Sequence, residues 1–234
     1  MTPWVVIVLA ATLVVAAAVG LGWRFVSRRR ETPCPWWLGW ALEGGPIDWV
    51  WSARRTIARM ELQPGQRVLE IGPGPGRVLI PAARVVGASG PDRHLLPPAS
   101  GQVGSSDPGI AVGIDIQAPM VERLRENARA AGLRNLIAIA GDGTLPHVVP
   151  GTFDVAFLCA TLGEIPDREA ALRQCHAALK PGGRLCVTEL FPDPHYQPPR
   201  TVRRLAESVG FRFLHRRGSW LFFTSTFEKP DGSA

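Results

Sequence analysis

The sequence contains few cysteines and almost no lysine. Its four cysteines (Cys34, Cys159, Cys175 and Cys186) have neither the spacing of a zinc site nor the density of a disulfide-stabilised secreted domain. We therefore expect free thiols, no metal and no disulfide framework. Lysine occurs only at positions 180 and 229, so arginine carries most of the net charge of +6. No internal repeat is present, which excludes a solenoid or a propeller.

Charged side chains are absent from Pro3 to Trp23, and nearly every residue of this segment is apolar. Its 21 residues would form a helix of about 31 Å, enough to cross the hydrocarbon core of a bilayer. Arg24 and Arg28 to Arg30 follow at once, and positive charge favours the cytoplasmic side. The pattern predicts a transmembrane anchor over residues 1–27, with the remaining chain in the cytoplasm. A cleaved signal peptide is the alternative, because Ala16 to Ala18 look like a cleavage site; the lack of a basic residue before the apolar run argues against it.

Residues 28–60 are predicted to be a juxtamembrane segment. Prolines at 33 and 35 prevent the anchor helix from continuing, and five tryptophans lie between positions 36 and 51. Tryptophan prefers the headgroup level of a membrane, so we expect this segment to lie on the bilayer and end in a helix at about 47–60. The alternative is that these tryptophans pack on the following domain, whose predicted extent is 61–230.

A glycine-rich turn follows a predicted strand at residues 68–71. Glu70 closes the strand, and Gly72, Gly74 and Gly76 alternate with prolines before a helical segment begins. Glycine lets the backbone approach a ligand closely, and the helix that follows directs its free N–H groups at that ligand. Dinucleotide sites usually have the spacing G-x-G-x-x-G, whereas the spacing here is G-x-G-x-G. The turn therefore predicts a nucleotide site in an α/β sheet, of a kind other than the usual dinucleotide one.

The chain resembles the class I S-adenosylmethionine (SAM)-dependent methyltransferases, whose first motif is (D/E)-x-G-x-G-x-G. The resemblance covers roughly residues 50–228 and extends to four further segments in the family's order: Val112 to Asp115, Gly141 to Gly143, Phe153 to Leu158, and Leu179 to Leu185. It implies a Rossmann-like, seven-stranded, mostly parallel, doubly wound α/β sheet with an antiparallel hairpin at one edge. It also implies SAM as the cofactor and methyl transfer by direct in-line displacement.

Strand and helix positions follow from the hydrophobic periodicity. The predicted strands are 67–71, 111–115, 136–140, 153–158, 184–189, 211–217 and 220–228, and the predicted helices are 76–86, 118–131, 168–179 and 200–209. Between the first of these helices and the second strand, residues 88–109 are rich in glycine, proline and serine. We expect a flexible surface insertion there, with a substrate lid as the alternative.

The resemblance implies roles for individual residues of the cofactor site. Gly72, Gly74 and Gly76 would line the methionine part of SAM, and Glu70 would hold the loop and the amino group. Asp115 would accept hydrogen bonds from both ribose hydroxyls, and Ile116 would pack on the adenine. Asp142 would accept from the adenine amino group, with Gly143 allowing close approach.

The sequence indicates the residues that would contact the methyl acceptor less clearly than those of the cofactor site. Glu164 follows the fourth strand, where open α/β sheets bind their ligands, and is the candidate general base; a surface carboxylate is the equally weighted alternative. His195 and Tyr196 follow the fifth strand and are candidate substrate contacts, although the prolines around them favour a structural loop almost as strongly.

The acceptor is expected to be lipophilic, because no cap domain interrupts the fifth-strand loop and residues 34–60 adjoin the membrane. The chain also resembles quinone-biosynthesis and phospholipid methyltransferases, mainly in the cofactor half. Membrane lipids are the expected partners and nucleic acid is not, since much of the positive charge is juxtamembrane. The alternatives are a methyltransferase of a soluble molecule or a protein, a non-catalytic SAM-binding membrane protein, and an oxidoreductase on the same fold. The oligomeric state is left open.

Overall fold

The computed structural model describes residues 4–8, 11–12, 22, 52–88, 109–191 and 193–231. Residues 4–8, 11–12 and 22 are helical and exposed. Within these described ranges, no helix combines the length and apolar character needed to cross a bilayer. Most of the predicted anchor, residues 28–51 of the juxtamembrane segment, Cys34 and residues 89–108 of the insertion lie outside the described residues and stay predictions.

Seven strands form one sheet in the order β3-β2-β1-β4-β5-β7-β6. Their bounds are β1 Arg67–Ile71, β2 Ile110–Asp115, β3 Leu136–Ala140, β4 Phe153–Cys159, β5 Leu179–Leu190, β6 Arg212–Gly218 and β7 Phe222–Glu228. The first five strands are parallel, and β7 pairs antiparallel with both β5 and β6. The predicted mostly parallel sheet with an antiparallel edge hairpin is confirmed.

Five α-helices pack around the sheet within residues 52–88, 109–191 and 193–231. They are α1 Ala53–Met60, α2 Leu79–Gly87, α3 Ala118–Ala130, α4 Arg168–Ala178 and α5 Pro199–Ser208, and a 3₁₀ turn spans Leu162–Glu164. The four helices predicted after residue 61 are present, but α2 begins three residues later than predicted, and α1 corresponds to the described part of the helix predicted at about 47–60. The glycine-rich turn delays α2, because Gly76 has a φ of +96°, which is incompatible with a right-handed helix.

Two apolar layers cover the faces of the sheet. Alternate strand residues face opposite sides, so Leu69 and Val68 belong to different layers. Helices α4 and α5 cover the face that contains Leu69, while α1, α2 and α3 cover the face that contains Val68. Both faces being covered explains why the parallel strands are nearly continuous apolar runs.

The topology brings five chain segments to one edge of the sheet. The carboxyl ends of β1 to β5 all lie there, because these strands are parallel. The order of connection reverses between β1 and β4, so a crevice opens between the loops that follow them. Any ligand site of this fold is expected at that edge.

Candidate functional site

A cavity of about 410 Å³ lies at the carboxyl edge of the sheet, within the size range of small-molecule sites. Its lining comes from the glycine-rich turn after β1, the ends of β2 and β4, and the loops after β3, β4 and β5. Six carboxylates line it, against one basic side chain, Arg77, among the described residues. The carboxylates are Glu70, Asp115, Asp142, Glu164, Asp167 and Asp193. The cavity is therefore suited to a ligand that carries positive charge or donates hydrogen bonds.

The three glycines of the glycine-rich turn have the same sign of φ but different surroundings. All three have positive φ, at +68°, +53° and +96°. A Cβ on Gly74 would meet no atom within 4 Å, so this backbone faces open space in the cavity. A Cβ on Gly76 would lie 2.4 Å from the Leu124 side chain. Gly72 and Gly74 line the cavity, whereas the structure places Gly76 against α3, outside the cavity lining.

Glu70 is the most deeply buried carboxyl in the cavity wall, with 1% of its surface exposed. Burial raises its pKa well above the ordinary value, and the nearby negative charge of Asp115 raises it further. A hydrogen bond with the Cys159 thiol acts in the opposite direction. Its Oε2 atom is buried without a hydrogen-bond partner among the described residues. An acceptor atom in this state matches a cationic donor such as an ammonium group.

Asp115 connects the end of β2 to the glycine-rich turn. Its Oδ2 accepts a hydrogen bond from the Gly74 amide at 3.0 Å, and its Oδ1 accepts one from the Gln117 amide at 2.9 Å. Burial raises its pKa, while these two hydrogen bonds lower it. Each carboxylate oxygen retains acceptor capacity, so the group can still receive two hydroxyl donors. The two amides hold the carboxylate in one orientation toward the cavity.

The loops after β2 and β3 supply the predicted adenine contacts. Ile116 lines the cavity with 63% of its surface exposed. Asp142 accepts from the Thr144 amide at 2.9 Å and the Thr144 hydroxyl at 2.8 Å, both through Oδ1. A Cβ on Gly143 would lie 2.4 Å from Ile71, so only glycine allows this loop to sit so close to β1.

The loop after β4 contains a strained residue at the cavity. Ala160 has a φ of +54°, a left-handed conformation that costs about 1–3 kcal/mol for a residue with a Cβ. The Thr161 hydroxyl, next in the chain, donates to the Gly72 carbonyl at 3.2 Å and thereby joins this loop to the glycine-rich turn. Both residues line the cavity. Sequence reasoning missed Thr161, because nothing local indicates a contact with a residue 89 positions away.

Glu164 lies at the end of the 3₁₀ turn and lines the cavity, with Asp193 from the loop after β5 also in the lining. Sequence reasoning missed Asp193, which lies among four prolines that suggest a purely structural loop. Its Oδ1 accepts from the His195 amide at 2.7 Å, which fixes the start of this loop. The structure thus brings two carboxylates from different loops to one cavity.

His195 and Tyr196, the candidate substrate contacts, are placed differently from Glu164. They are 5% and 6% exposed and are absent from the described cavity lining. The Tyr196 hydroxyl donates to the Trp220 carbonyl, and its ring packs edge-on against Phe223. The role of these two residues as substrate contacts stays a prediction, as does the base role of Glu164.

Three observations support a fit between the described residues of the cavity and SAM. The unpartnered Oε2 atom of Glu70 matches the amino group, since it lies beside the glycine-rich turn. The Asp115 carboxylate matches a vicinal diol. The mutual repulsion of Glu70 and Asp115 is relieved by a cation, and SAM carries a sulfonium and an ammonium group.

Comparison with known proteins gives one family. Residues 62–209 match the methyltransferase domain family. Nocamycin O-methyltransferase of Saccharothrix syringae is 32% identical over 142 residues, which are 61% of this chain and 44% of that protein. The ubiquinone/menaquinone biosynthesis C-methyltransferase UbiE of Vibrio parahaemolyticus is 29% identical over 181 residues, covering 76% of this chain and 60% of that protein. The chain thus spans about half the length of these curated relatives.

Solved structures agree on the fold. A SAM-dependent methyltransferase from Aquifex aeolicus aligns with a TM-score of 0.70 at 17% identity, over 84% of this chain and all of that protein. The [4+2]-cyclase SpnF aligns with a TM-score of 0.61 at 19% identity, over 77% of this chain and 80% of that protein. The family match over most of the folded domain, together with the cavity geometry, shows that the chain belongs to the methyltransferase domain family of class I SAM-dependent enzymes and that its cofactor is SAM.

Proposed function

We propose that the chain is a membrane-anchored enzyme that transfers the methyl group of SAM to a small hydrophobic or membrane-resident acceptor. The observation that carries the proposal is a single cavity with two groups of carboxylates. Glu70 and Asp115 lie at the glycine-rich turn, and Glu164 and Asp193 come from the loops after β4 and β5. The first pair suits the cofactor, which leaves the second pair for an acceptor.

The side chains divide the work between binding and proton transfer. Bound SAM supplies a methyl group already activated by the sulfonium, so direct displacement by the acceptor suffices. Glu70 and Asp115 bind and orient, because their positions are held by backbone amides and by burial. Glu164 lines the same cavity and would take a proton from an acceptor that loses one.

The nature of the acceptor is inferred from the relatives and from the chain's amino-terminal segment. Relatives are named for ubiquinone/menaquinone biosynthesis, nocamycin and aklanonic acid, all small molecules. The uncharged run from Pro3 to Trp23 and the tryptophans up to Trp51 favour a location at the bilayer. An acceptor dissolved in the membrane would then reach the cavity without crossing water.

Labelling with a lipid extract tests the proposal directly. Detergent-solubilised full-length protein is incubated with methyl-labelled SAM and a total lipid extract, with Asp115→Ala as the matched control. Label is expected in a lipid-soluble product with the parent protein and not with the variant. Label only in water-soluble compounds or in protein would favour a soluble acceptor. SAM binding by calorimetry without any labelled product from lipid, soluble or protein fractions would favour a non-catalytic SAM-binding protein.

Removal of residues 1–31 tests the role of the predicted anchor. SAM binding is expected to persist, since the family match begins at residue 62. Turnover of an acceptor in liposomes is expected to fall much more than turnover of a short-chain soluble analogue, because tethering raises the local enzyme concentration. An equal loss with both acceptors would show that residues 1–31 support the fold. No loss with either would contradict the lipid hypothesis.

A further inference from the structure

An exposed apolar patch lies beside the cavity, where β5 ends and β7 begins. Phe191 is 40% exposed, Trp220 63% and Leu221 37%. The rings of Phe191 and Trp220 lie 6.3 Å apart, and the Phe191 amide donates to the Leu221 carbonyl at 2.7 Å. These three residues are called the aromatic patch below. They come from two loops that the backbone hydrogen bond holds together, so the patch is a fixed feature of the domain surface.

The aromatic patch is close to the end of the cavity that Glu164 and Asp193 line. Phe191 is two residues from Asp193, which lines the cavity. The hydroxyl of Tyr196, from the same loop, donates to the carbonyl of Trp220. Leu190 at the end of β5 pairs with Phe222 at the start of β7, so both loops lie at the carboxyl edge of the sheet. A surface that covered the patch would therefore lie beside the cavity.

Arginines flank the aromatic patch on both faces of the sheet. Arg216 and Arg217 are exposed at the end of β6, next to the turn that carries Trp220. On the face covered by α1, the Arg59 guanidinium lies 4.1 Å from the Phe222 ring centroid and donates to the Phe222 carbonyl at 3.3 Å. Arg54 and Arg55 are exposed on the same helix. Aromatic side chains surrounded by arginine match the headgroup level of an anionic bilayer.

The sequence that precedes α1 also favours an anionic membrane as the surface that covers the aromatic patch. Helix α1 begins after Ser52, whose hydroxyl caps it, and packs beside the patch through Arg59. The 51 residues before Ser52 contain the uncharged run and seven tryptophans, five of them between positions 36 and 51. The segment with the strongest predicted membrane affinity thus joins the folded domain within one short helix of the aromatic patch.

We propose that the aromatic patch of Phe191, Trp220 and Leu221 is a second membrane contact, which rests on an anionic lipid surface and turns the cavity toward the bilayer. The contact belongs to the folded domain and acts in addition to the anchor. It does not depend on which acceptor is methylated. A single span would leave the domain free to rotate, whereas a second contact fixes its orientation.

A fluorescent probe at position 220 tests the contact in the full-length protein. The starting variant is Cys34→Ser, because the three remaining cysteines are buried and react poorly with a label. Trp220→Cys receives an environment-sensitive dye, and Val149→Cys is the matched control. Val149 is 73% exposed and precedes β4, at the opposite edge of the sheet. Trp220→Cys retains the hydrogen bond from Tyr196, since that bond is made to the backbone carbonyl, and SAM binding verifies folding.

The labelled proteins are reconstituted in vesicles of zwitterionic lipid or of a zwitterionic and anionic mixture, each with and without a lipid-linked quencher. The probe at 220 is expected to shift to shorter wavelength and to be quenched several-fold more than the probe at 149, most strongly in the anionic vesicles. Arg216→Glu is expected to reduce that quenching several-fold. Arg216 is preferred over Arg217 for this test because Arg217 forms an ion pair with Glu61.

Three results would overturn the proposal. Equal quenching at positions 220 and 149 would show that the domain has no preferred face toward the lipid. A blue-shifted probe at 220 that ignores the quencher would show that residues 33–51 or a protein partner cover the patch. Quenching that is the same in both lipid compositions and unaffected by Arg216→Glu would show that the contact does not depend on anionic lipid, contrary to the proposal. None of these outcomes bears on whether lipid-soluble product forms, so the proposed function is tested separately.

Discussion

The two halves of the sheet differ in how much of their chemistry is visible in the sequence. In the half formed by β1 to β4, the residues that line the cavity at strand ends include Glu70, Asp115 and Asp142, all recognised from their motifs. In the half formed by β5 to β7, the cavity contact is Asp193 and the exposed aromatic side chain is Trp220, and no motif marked either. The half formed by β1 to β4 is called the cofactor half below, and the half formed by β5 to β7 the acceptor half, after their proposed roles. The sequences of the two halves are subject to different constraints.

Backbone geometry accounts for this difference. The cofactor half needs glycines with positive φ and loops that approach β1 closely, as Gly72 and Gly143 do. Such demands leave a sequence pattern, because only glycine satisfies them. The acceptor half needs particular side chains at particular places, and many loop sequences can provide those. The lesson is that cofactor sites are recognised from local sequence, while acceptor sites depend on which loops the fold brings together.

The largest expected effect is the loss of SAM binding in Asp115→Ala. The substitution removes the predicted acceptor of two ribose hydroxyls and releases the Gly74 and Gln117 amides. Charge-assisted hydrogen bonds contribute about 1.5–3 kcal/mol each, so affinity should fall by at least ~100-fold by calorimetry. Asp167→Ala is the control, because Asp167 lines the same cavity but caps α4. Affinity within a few fold of the parent for Asp115→Ala would refute the assignment.

Glu164→Gln tests the predicted base in the loop after β4. If Glu164 is the base, turnover should fall by roughly 10²–10⁴-fold while SAM affinity stays within about two-fold, because the residue follows β4 rather than the glycine-rich turn. The acidic limb of the pH–rate profile should disappear as well. Glu169→Gln is the matched control, because Glu169 is an exposed carboxylate of α4 outside the described cavity lining. Unchanged turnover and pH profile in Glu164→Gln would show that no base acts at this position.

Glu70→Gln is expected to lower the affinity for SAM but to raise the melting temperature of the protein without SAM. Because the folded-state pKa of Glu70 is raised, its ionisation opposes folding as the pH rises above the ordinary value of 4.5. The melting temperature of the variant without SAM should therefore exceed that of the parent by a few degrees near neutral pH, and the difference should vanish below about pH 4.5. SAM affinity should fall by about ten-fold, since one charge-assisted hydrogen bond weakens.

The exposed Glu122→Gln on α3 is the control for this measurement, since it removes a carboxylate from a solvated surface. A melting temperature of Glu70→Gln that is lower than that of the parent at neutral pH would mean that the ionised carboxylate stabilises the fold. The burial argument for Glu70 would then be wrong.

The smallest expected effect follows deletion of residues 90–108 and closure with two glycines. The Gly109 amide donates to the Val86 carbonyl at 3.1 Å, so the ends of this segment already lie together. Shortening a loop changes its closure free energy only slightly. Melting temperature and SAM affinity should be nearly unchanged. A large fall in melting temperature would mean that the segment packs on the domain, and lost turnover with intact SAM binding would indicate a lid.

The sequence by itself determined most of the elements and predicted which strand-end carboxylates line the cavity. Strand β1 and helix α4 begin where the apolar periodicity predicts, because side-chain spacing along one element is a local property. The amino end of β5 was missed, since Leu179 joins the sheet by pairing with Phe153 across a register shift. Glu70 and Asp115 could be identified because a strand end beside a glycine-rich turn has a fixed place in this fold.

Only the tertiary structure decided how the acceptor half is arranged. Nothing in the sequence indicated that the Tyr196 hydroxyl would donate to the Trp220 carbonyl, 24 positions away in the chain. Thr161 reaches Gly72 across 89 positions, and Asp193 meets the same cavity as Glu164. Contacts of this kind depend on the placement of β7 between β5 and β6 and on the reversal between β1 and β4. Neither is encoded in the spacing of neighbouring residues, because both result from packing whole elements against one another.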